Sequence, residues 1–160
     1  MARVVILGAG ISGHTAALHL KRRLKGAHEV IVVSPNADWN WIPSNIWVGV
    51  GRMTPAQVTF PLRPVYRRKG IDFRQARAIA IRPEGDAESE SGSVEIVYTD
   101  PARSGQDERL TYDFLINATG PKLNFAATPG LGPDGNSLSV CTASDAELLV
   151  TETRLLATTV

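Results

Sequence analysis

The 160-residue sequence contains a single cysteine, Cys141. One thiol cannot close an internal disulfide, and it cannot supply the clustered thiolates of a zinc or iron–sulfur site. Histidine is nearly as scarce. His14, His19 and His28 fall in or just after one helical segment, with no carboxylate or cysteine at ligand spacing, so no metal site is expected. An excess of one charge is also missing: 17 basic and 16 acidic residues leave a net +1. No basic stripe is interleaved with aromatics, which argues against nucleic acid as a partner. The short basic clusters Lys21–Lys25 and Tyr66–Gly70 read as solvated helix ends, where positive charge is favourable without a partner. No stretch approaches the roughly 20 apolar residues of a membrane span. The N-terminus, MARVVILGAG, lacks the apolar stretch of a signal peptide, so a cytoplasmic start is expected.

Aromatics make up only 6% of the chain, yet all three tryptophans lie in WNWIPSNIWVGVG, residues 39–51. Pro43 and the glycines at 49 and 51 break both helix and strand, so Trp39, Trp41 and Trp47 are expected in an irregular loop. Around that loop the pattern is α/β. RVVILG, from Arg3, is a continuous β-branched run, the signature of a strand buried on both faces. Apolar positions from Ile11 to Leu24 recur at helical spacing, and Gly26 should end that helix. EVIVVS, Glu29–Ser34, is a second buried strand. Strand, helix and strand form a βαβ unit, which packs with parallel strands and a right-handed crossover.

Three prolines after the Trp loop leave room for a short helix near Val65–Lys69. Alternating segments from Ile71, and at Val94–Thr99, separated by polar turns, then read as an antiparallel β-meander. FLINATG, Phe114–Gly120, reads as another buried strand. The segment from Ser144 onward reads as a helix capped by Ser144 or Asp145. No repeat or linker divides the chain, so one domain is expected over 1–160.

GAGISG places Gly8, Gly10 and Gly13 as GxGxxG, between a buried strand and a helix within the βαβ unit. Gly8 permits a tight turn, Gly10 lets backbone approach a pyrophosphate, and Gly13 allows helix and strand to pack closely. The helix N-terminus adds N–H donors and partial positive charge. A purely structural glycine turn is the alternative. One departure stands out: the second strand ends in Ser34, where a dinucleotide site usually has Asp or Glu for the ribose hydroxyls. Ser34 and Asn36 are neutral substitutes, and no arginine follows to take a 2′-phosphate, which disfavours NADP here.

With these motifs, IPSNIWVGVG, RKGIDF, YDFLINATGPKLNF and SVCTASDAE, the chain from Arg3 to about Glu147 resembles the sulfide:quinone oxidoreductases. These are relatives of type II NADH:quinone oxidoreductases and of flavocytochrome c sulfide dehydrogenases. IPSNIWVGVG and SVCTASDAE point to the sulfide-oxidising branch. The resemblance implies a Rossmann-like FAD-binding domain with a parallel sheet and an antiparallel meander, the first part of a two-dinucleotide-binding flavoprotein. It implies FAD as cofactor, with Gly8, Ala9, Gly10, Ile11, Ser12 and Gly13 around the pyrophosphate and Ser34 and Asn36 on the ribose side. Ala78 would offer its backbone to the adenine, Ile42 and Pro43 would lie against the flavin ring, and Thr119 and Gly120 would pass near the cofactor. The tryptophans would wall the flavin from water, and Lys122 would neighbour phosphate or flavin.

The same resemblance implies sulfide and quinone as substrates and two sulfur-accepting cysteines outside these residues. Cys141 would be an auxiliary redox residue or a small buried side chain. It also implies a second dinucleotide-binding domain and a C-terminal membrane-contacting region, neither of which is present, so the piece alone should be inactive and bind FAD weakly if at all. The full protein would be peripheral on the cytoplasmic side of a membrane, and a homo-oligomer is allowed. Two other readings are an NADH:quinone oxidoreductase, with a second GxGxxG downstream, and a non-catalytic nucleotide-binding module acting through its tryptophan-rich surface.

Overall fold

The computed structural model describes residues 1–87, 90–121 and 123–158, without the side chains of 153–158. In chain order the elements are β1 (Arg3–Leu7), α1 (Ile11–Arg23), β2 (Glu29–Ser34), β3 (Asp38–Asn40), α2 (Asn45–Gly49) and α3 (Pro55–Val58). Then come β4 (Thr59–Pro61), α4 (Leu62–Lys69), β5 (Asp72–Arg82), β6 (Ser93–Tyr98), β7 (Asp107–Thr111), β8 (Phe114–Asn117) and α5 (Ala143–Thr158). The chain divides into two compact units, Met1–Trp39 with Pro61–Gly120, and Asn40–Phe60 with Pro121–Val160.

The first unit is built on a six-stranded sheet in the order β7-β6-β5-β2-β1-β8. β1 lies parallel between β2 and β8, with Val5 opposite Ile31 and Ile6 opposite Ile116. β5 has two partners in succession. Asp72–Gln75 run parallel to Ile31–Ser34 of β2, and from Ala76 onward the strand pairs antiparallel with β6. The expected meander is thus β5–β6–β7, and it continues directly from the parallel sheet.

The β-branched runs of β1 and β2 are continuous because both faces of these strands are covered. Val4, Ile6, Val30 and Val32 pack with Ala17 of α1, Leu62 and Tyr66 of α4, and Phe73. Val5, Leu7, Ile31 and Val33 point the other way, onto Val94, Ile96, Tyr98 and Leu110 of the meander. Each such fully buried aliphatic side chain contributes about 1.5–3 kcal/mol.

Several expectations change. FLINATG is not buried: β8 is the sheet edge, and Phe114 is 63% exposed. α1 already ends at Arg23, and the turn behind it uses Lys25 (φ 47) as well as Gly26 (φ 80). The short helix is a full α4 from Leu62, because Pro64 falls in its first turn, where the missing N–H costs nothing. It stops at Gly70, in the left-handed conformation (φ 65). α5 starts one residue early and is capped by Thr142, whose Oγ1 accepts the Asp145 N–H at 3.0 Å.

The second unit is small and helical. Val48 of α2, Val58 of α3 and Ala143 and Ala146 of α5 form its core, with Met53 against it. The loop expected to be irregular instead holds a single 3-10 turn, Ile42–Ser44, and the short α2.

Candidate functional site

Within the first unit, the glycine loop is fixed between the ends of β2 and β8. The Gly8 N–H donates to the Val33 carbonyl at 2.8 Å, and the Ala118 N–H to the Leu7 carbonyl at 2.8 Å. Gly8 has φ +94, and a Cβ there would lie 2.3 Å from the Ala118 carbonyl oxygen. A Cβ on Gly13 would lie 2.1 Å from the Gly8 oxygen. These two glycines therefore seat α1 on its own loop and the loop on the segment after β8. Ala9 is buried within it, whereas Ile11 and Ser12 are exposed.

Gly10 differs from both: a Cβ there would meet no atom within 4 Å. It is the N-cap of α1, makes no side-chain cap hydrogen bond, and the first turn carries no acidic residue. The basic residues Lys21, Arg22 and Arg23 all lie in the last turn. The helix thus offers an uncapped, partially positive N-terminus beside backbone with open space over it, which fits a diphosphate.

The end of β2 is held from three directions. The Asn36 N–H donates to Ser34 Oγ at 3.3 Å, closing a small turn, and Ser34 itself is only 4% exposed. Thr99 Oγ1 donates to the Pro35 carbonyl at 2.8 Å, and the Leu62 N–H to the Ala37 carbonyl at 2.9 Å. Next along the sheet, the β5–β6 register shifts between Ala78 and Ala80, a bulge of the kind often found beside binding sites. At the β8 end, Asn117 Oδ1 accepts from Thr119 twice, from its N–H at 3.2 Å and its hydroxyl at 2.9 Å, and Gly120 turns the chain with φ +72. The structure thus gathers Gly8–Gly13, Ser34, Asn36, Ala78, Thr119 and Gly120 in one unit. Lys122 lies outside the described residues.

An aromatic cluster under α1 escaped the sequence reading. The His14 ring lies 5.5 Å from Trp39 and 5.4 Å from Tyr66, which in turn lies 5.4 Å from Phe73. His14 Nδ1 is 3.0 Å from the hydroxyl of Tyr66, a fully buried residue. Burial pushes the phenol well above its ordinary range and holds His14 below 6.5. The only sequence signal was the position of His14 on the inward side of the first helical turn, next to Ala17.

Trp39 therefore belongs to the first unit's core and is separate from the exposed loop aromatics. In the second unit, Trp41, Ile42, Ile46, Trp47 and Val50 all expose large apolar surface. A pair of amides, Asn45 buried and Asn40 half-buried, fixes the loop. Asn45, 0% exposed, donates from Nδ2 to Asn40 Oδ1 at 2.9 Å and to the Val140 carbonyl at 3.0 Å. Asn40 Nδ2 donates in return to Asn45 Oδ1 at 2.9 Å and to the Val58 carbonyl at 3.2 Å. This pair joins the turn carrying Ile42 and Pro43 to the residue before Cys141. Cys141 is exposed, contrary to the buried alternative, and its N–H donates to Ser139 Oγ at 3.0 Å.

The model of one protein family, pyridine nucleotide-disulphide oxidoreductase, matches residues 2–155. A sulfide-quinone reductase of Aquifex aeolicus is 30% identical over 143 residues, covering 89% of this chain and 29% of that protein. A mitochondrial external alternative NAD(P)H-ubiquinone oxidoreductase of Arabidopsis thaliana is 28% identical over 129 residues, 81% of this chain and 21% of the relative. Among solved structures, the sulfide:quinone oxidoreductase of Aquifex aeolicus superposes with a TM-score of 0.80 at 25% identity, covering 99% of this chain and 33% of that one. The chain thus spans between a fifth and a third of the length of these relatives.

Proposed function

The chain belongs to the pyridine nucleotide-disulphide oxidoreductase family of flavoproteins, and from that membership we propose that residues 1–160 are the FAD-binding domain of a longer sulfide:quinone oxidoreductase. The observation that carries this reading is the glycine cradle, in which Gly8 and Gly13 have no room for a Cβ and Gly10 faces open space. The sulfide-quinone reductase among its relatives supports the choice of substrate.

In this reading the N–H groups of Gly10, Ile11 and Ser12 hold the pyrophosphate on the N-terminus of α1. Ser34 and Asn36 face the ribose, and the bulged backbone at Ala78 meets the adenine. Thr119 and Gly120 line the passage towards the flavin half, and Ile42 and Pro43 contact its ring. When bound, FAD supplies two-electron redox chemistry. The chain's own part is to bind and orient it and, through Trp41 and Trp47, to exclude water from its surroundings. Cys141, exposed beside the amide-fixed segment, serves as an auxiliary thiol. The sulfur-accepting cysteines and the membrane-contacting region belong to sequence outside these residues. No described helix is long and apolar enough to cross a membrane.

The NAD(P)H-ubiquinone oxidoreductase relative favours a second reading, in which NADH replaces sulfide as reductant. The test is an anaerobic titration of the whole protein, following the flavin absorbance band. Bleaching by sulfide and not by NADH is the expected result. Bleaching by NADH alone would replace sulfide with NADH in the proposal.

A further inference from the structure

β2 brings no anionic acceptor to the adenosine ribose, because its last residue is Ser34, whose hydroxyl already closes the turn with Asn36. The fold brings a carboxylate to the same place from 66 residues further along, at Asp100. Gln75 of β5 is the register partner of Ser34, and the Gln75 carbonyl accepts the N–H groups of both Thr99 and Asp100, at 2.9 and 3.1 Å. Thr99 Oγ1 also bonds the Pro35 carbonyl at 2.8 Å. Asp100 therefore sits next to the β2 turn, where a dinucleotide site of this architecture keeps its ribose-binding acid.

The carboxylate is also oriented in advance. Asp100 Oδ1 accepts the Ala102 N–H at 3.0 Å, and Oδ2 is paired with the Arg63 guanidinium. Arg63 is on α4 and also reaches over the Phe73 ring, 5.8 Å from its centroid. A carboxylate oxygen has two lone pairs, so each keeps one for a further donor. The side chain of Asp100 is 21% exposed, open enough to accept one.

We propose that Asp100 is the acceptor for the adenosine ribose hydroxyls of the bound dinucleotide, taking the role that Ser34 cannot fill, and that Arg63 is its positioning residue. The assignment rests on the FAD-site reading above. Asp38, four positions beyond Ser34 and exposed, is the competing carboxylate that sequence order alone would suggest.

The test uses the whole flavoprotein, stripped of flavin and titrated with FAD and with its 2′-deoxyadenosine analogue. The wild type should prefer FAD about tenfold, the scale of one charge-assisted hydrogen bond. Asp100→Asn should bring that ratio to within about threefold and weaken FAD about tenfold, whereas Asp38→Asn should keep the ratio. Arg63→Gln, at an exposed guanidinium, leaves the carboxylate unclamped and should lower the ratio partway, and it serves if Asp100→Asn does not fold. An unchanged ratio in Asp100→Asn, or in Arg63→Gln when that is the variant measured, would overturn the assignment. So would a ratio lost in Asp38→Asn, or a wild type that binds both ligands equally. A wild type that binds no FAD would instead remove the functional reading on which the assignment rests.

Discussion

A methyl group added at Gly10 and one added at Gly13 should have opposite consequences. The added Cβ at Gly10 meets no protein atom within 4 Å, and its φ of −68 suits alanine. Gly10→Ala should therefore keep its melting temperature while FAD binds at least about tenfold more weakly, because the methyl occupies the approach of the pyrophosphate. Gly13→Ala drives the methyl to 2.1 Å from the Gly8 oxygen, a backbone atom that cannot swing aside. It should lose about 1–3 kcal/mol or more of stability, read as a lower denaturation midpoint. The spacing of the three glycines was legible in the sequence. That His14 would meet Tyr66 was not, since the contact joins residues 52 apart. His14 is held neutral by burial, with its value in the folded protein below the 6.5 of the unfolded chain. The unfolded chain therefore takes up a proton first as pH falls. Stability from this site is complete above about pH 6.5 and declines as pH drops below it. Denaturant midpoints measured between pH 7.5 and 5.5 should show this decline, and His14→Phe should flatten it.

At the scale of elements, the Asn40–Asn45 amide pair is the most sensitive to a single substitution. Asn45→Ala removes the donor to the Val140 carbonyl and to Asn40 Oδ1 and one acceptor of Asn40 Nδ2, at about 1–3 kcal/mol. Urea unfolding should show that loss, and proteolysis should cut first between Trp41 and Val50. Nothing local in the sequence announces what the pair anchors, because Asn45 meets Val140 across 95 residues. The strands were easier to read. β1 and β2 carry β-branched runs that need burial on both faces, and the sheet provides it. β8 has equally apolar residues, but composition alone does not say that a strand lies at a sheet edge. Three prolines predict only a short helix near Val65–Lys69, but Pro64 falls in the first turn of α4, where proline is well tolerated.

For the whole molecule, what was legible was a dinucleotide loop in its βαβ context, and from it the fold class and family. Less legible was how the fold compensates for a missing acid at Ser34, since Thr99 and Asp100 reach that turn only through the β5–β6 hairpin. The tryptophans, all within residues 39–47, also part company: Trp39 packs on the first unit's core, and Trp41 and Trp47 remain at the second unit's surface. In the proposed function, the glycine loop of α1 and the turn at Ser34 hold the diphosphate and adenosine of FAD. Calorimetric titration of the flavin-free whole protein with FAD and with FMN, which lacks the adenosine and the bridging diphosphate, tests it most directly. FAD should bind at least about a hundredfold more tightly than FMN, with that margin falling in Gly10→Ala. Equal affinity for the two, or a margin untouched by Gly10→Ala, would contradict it.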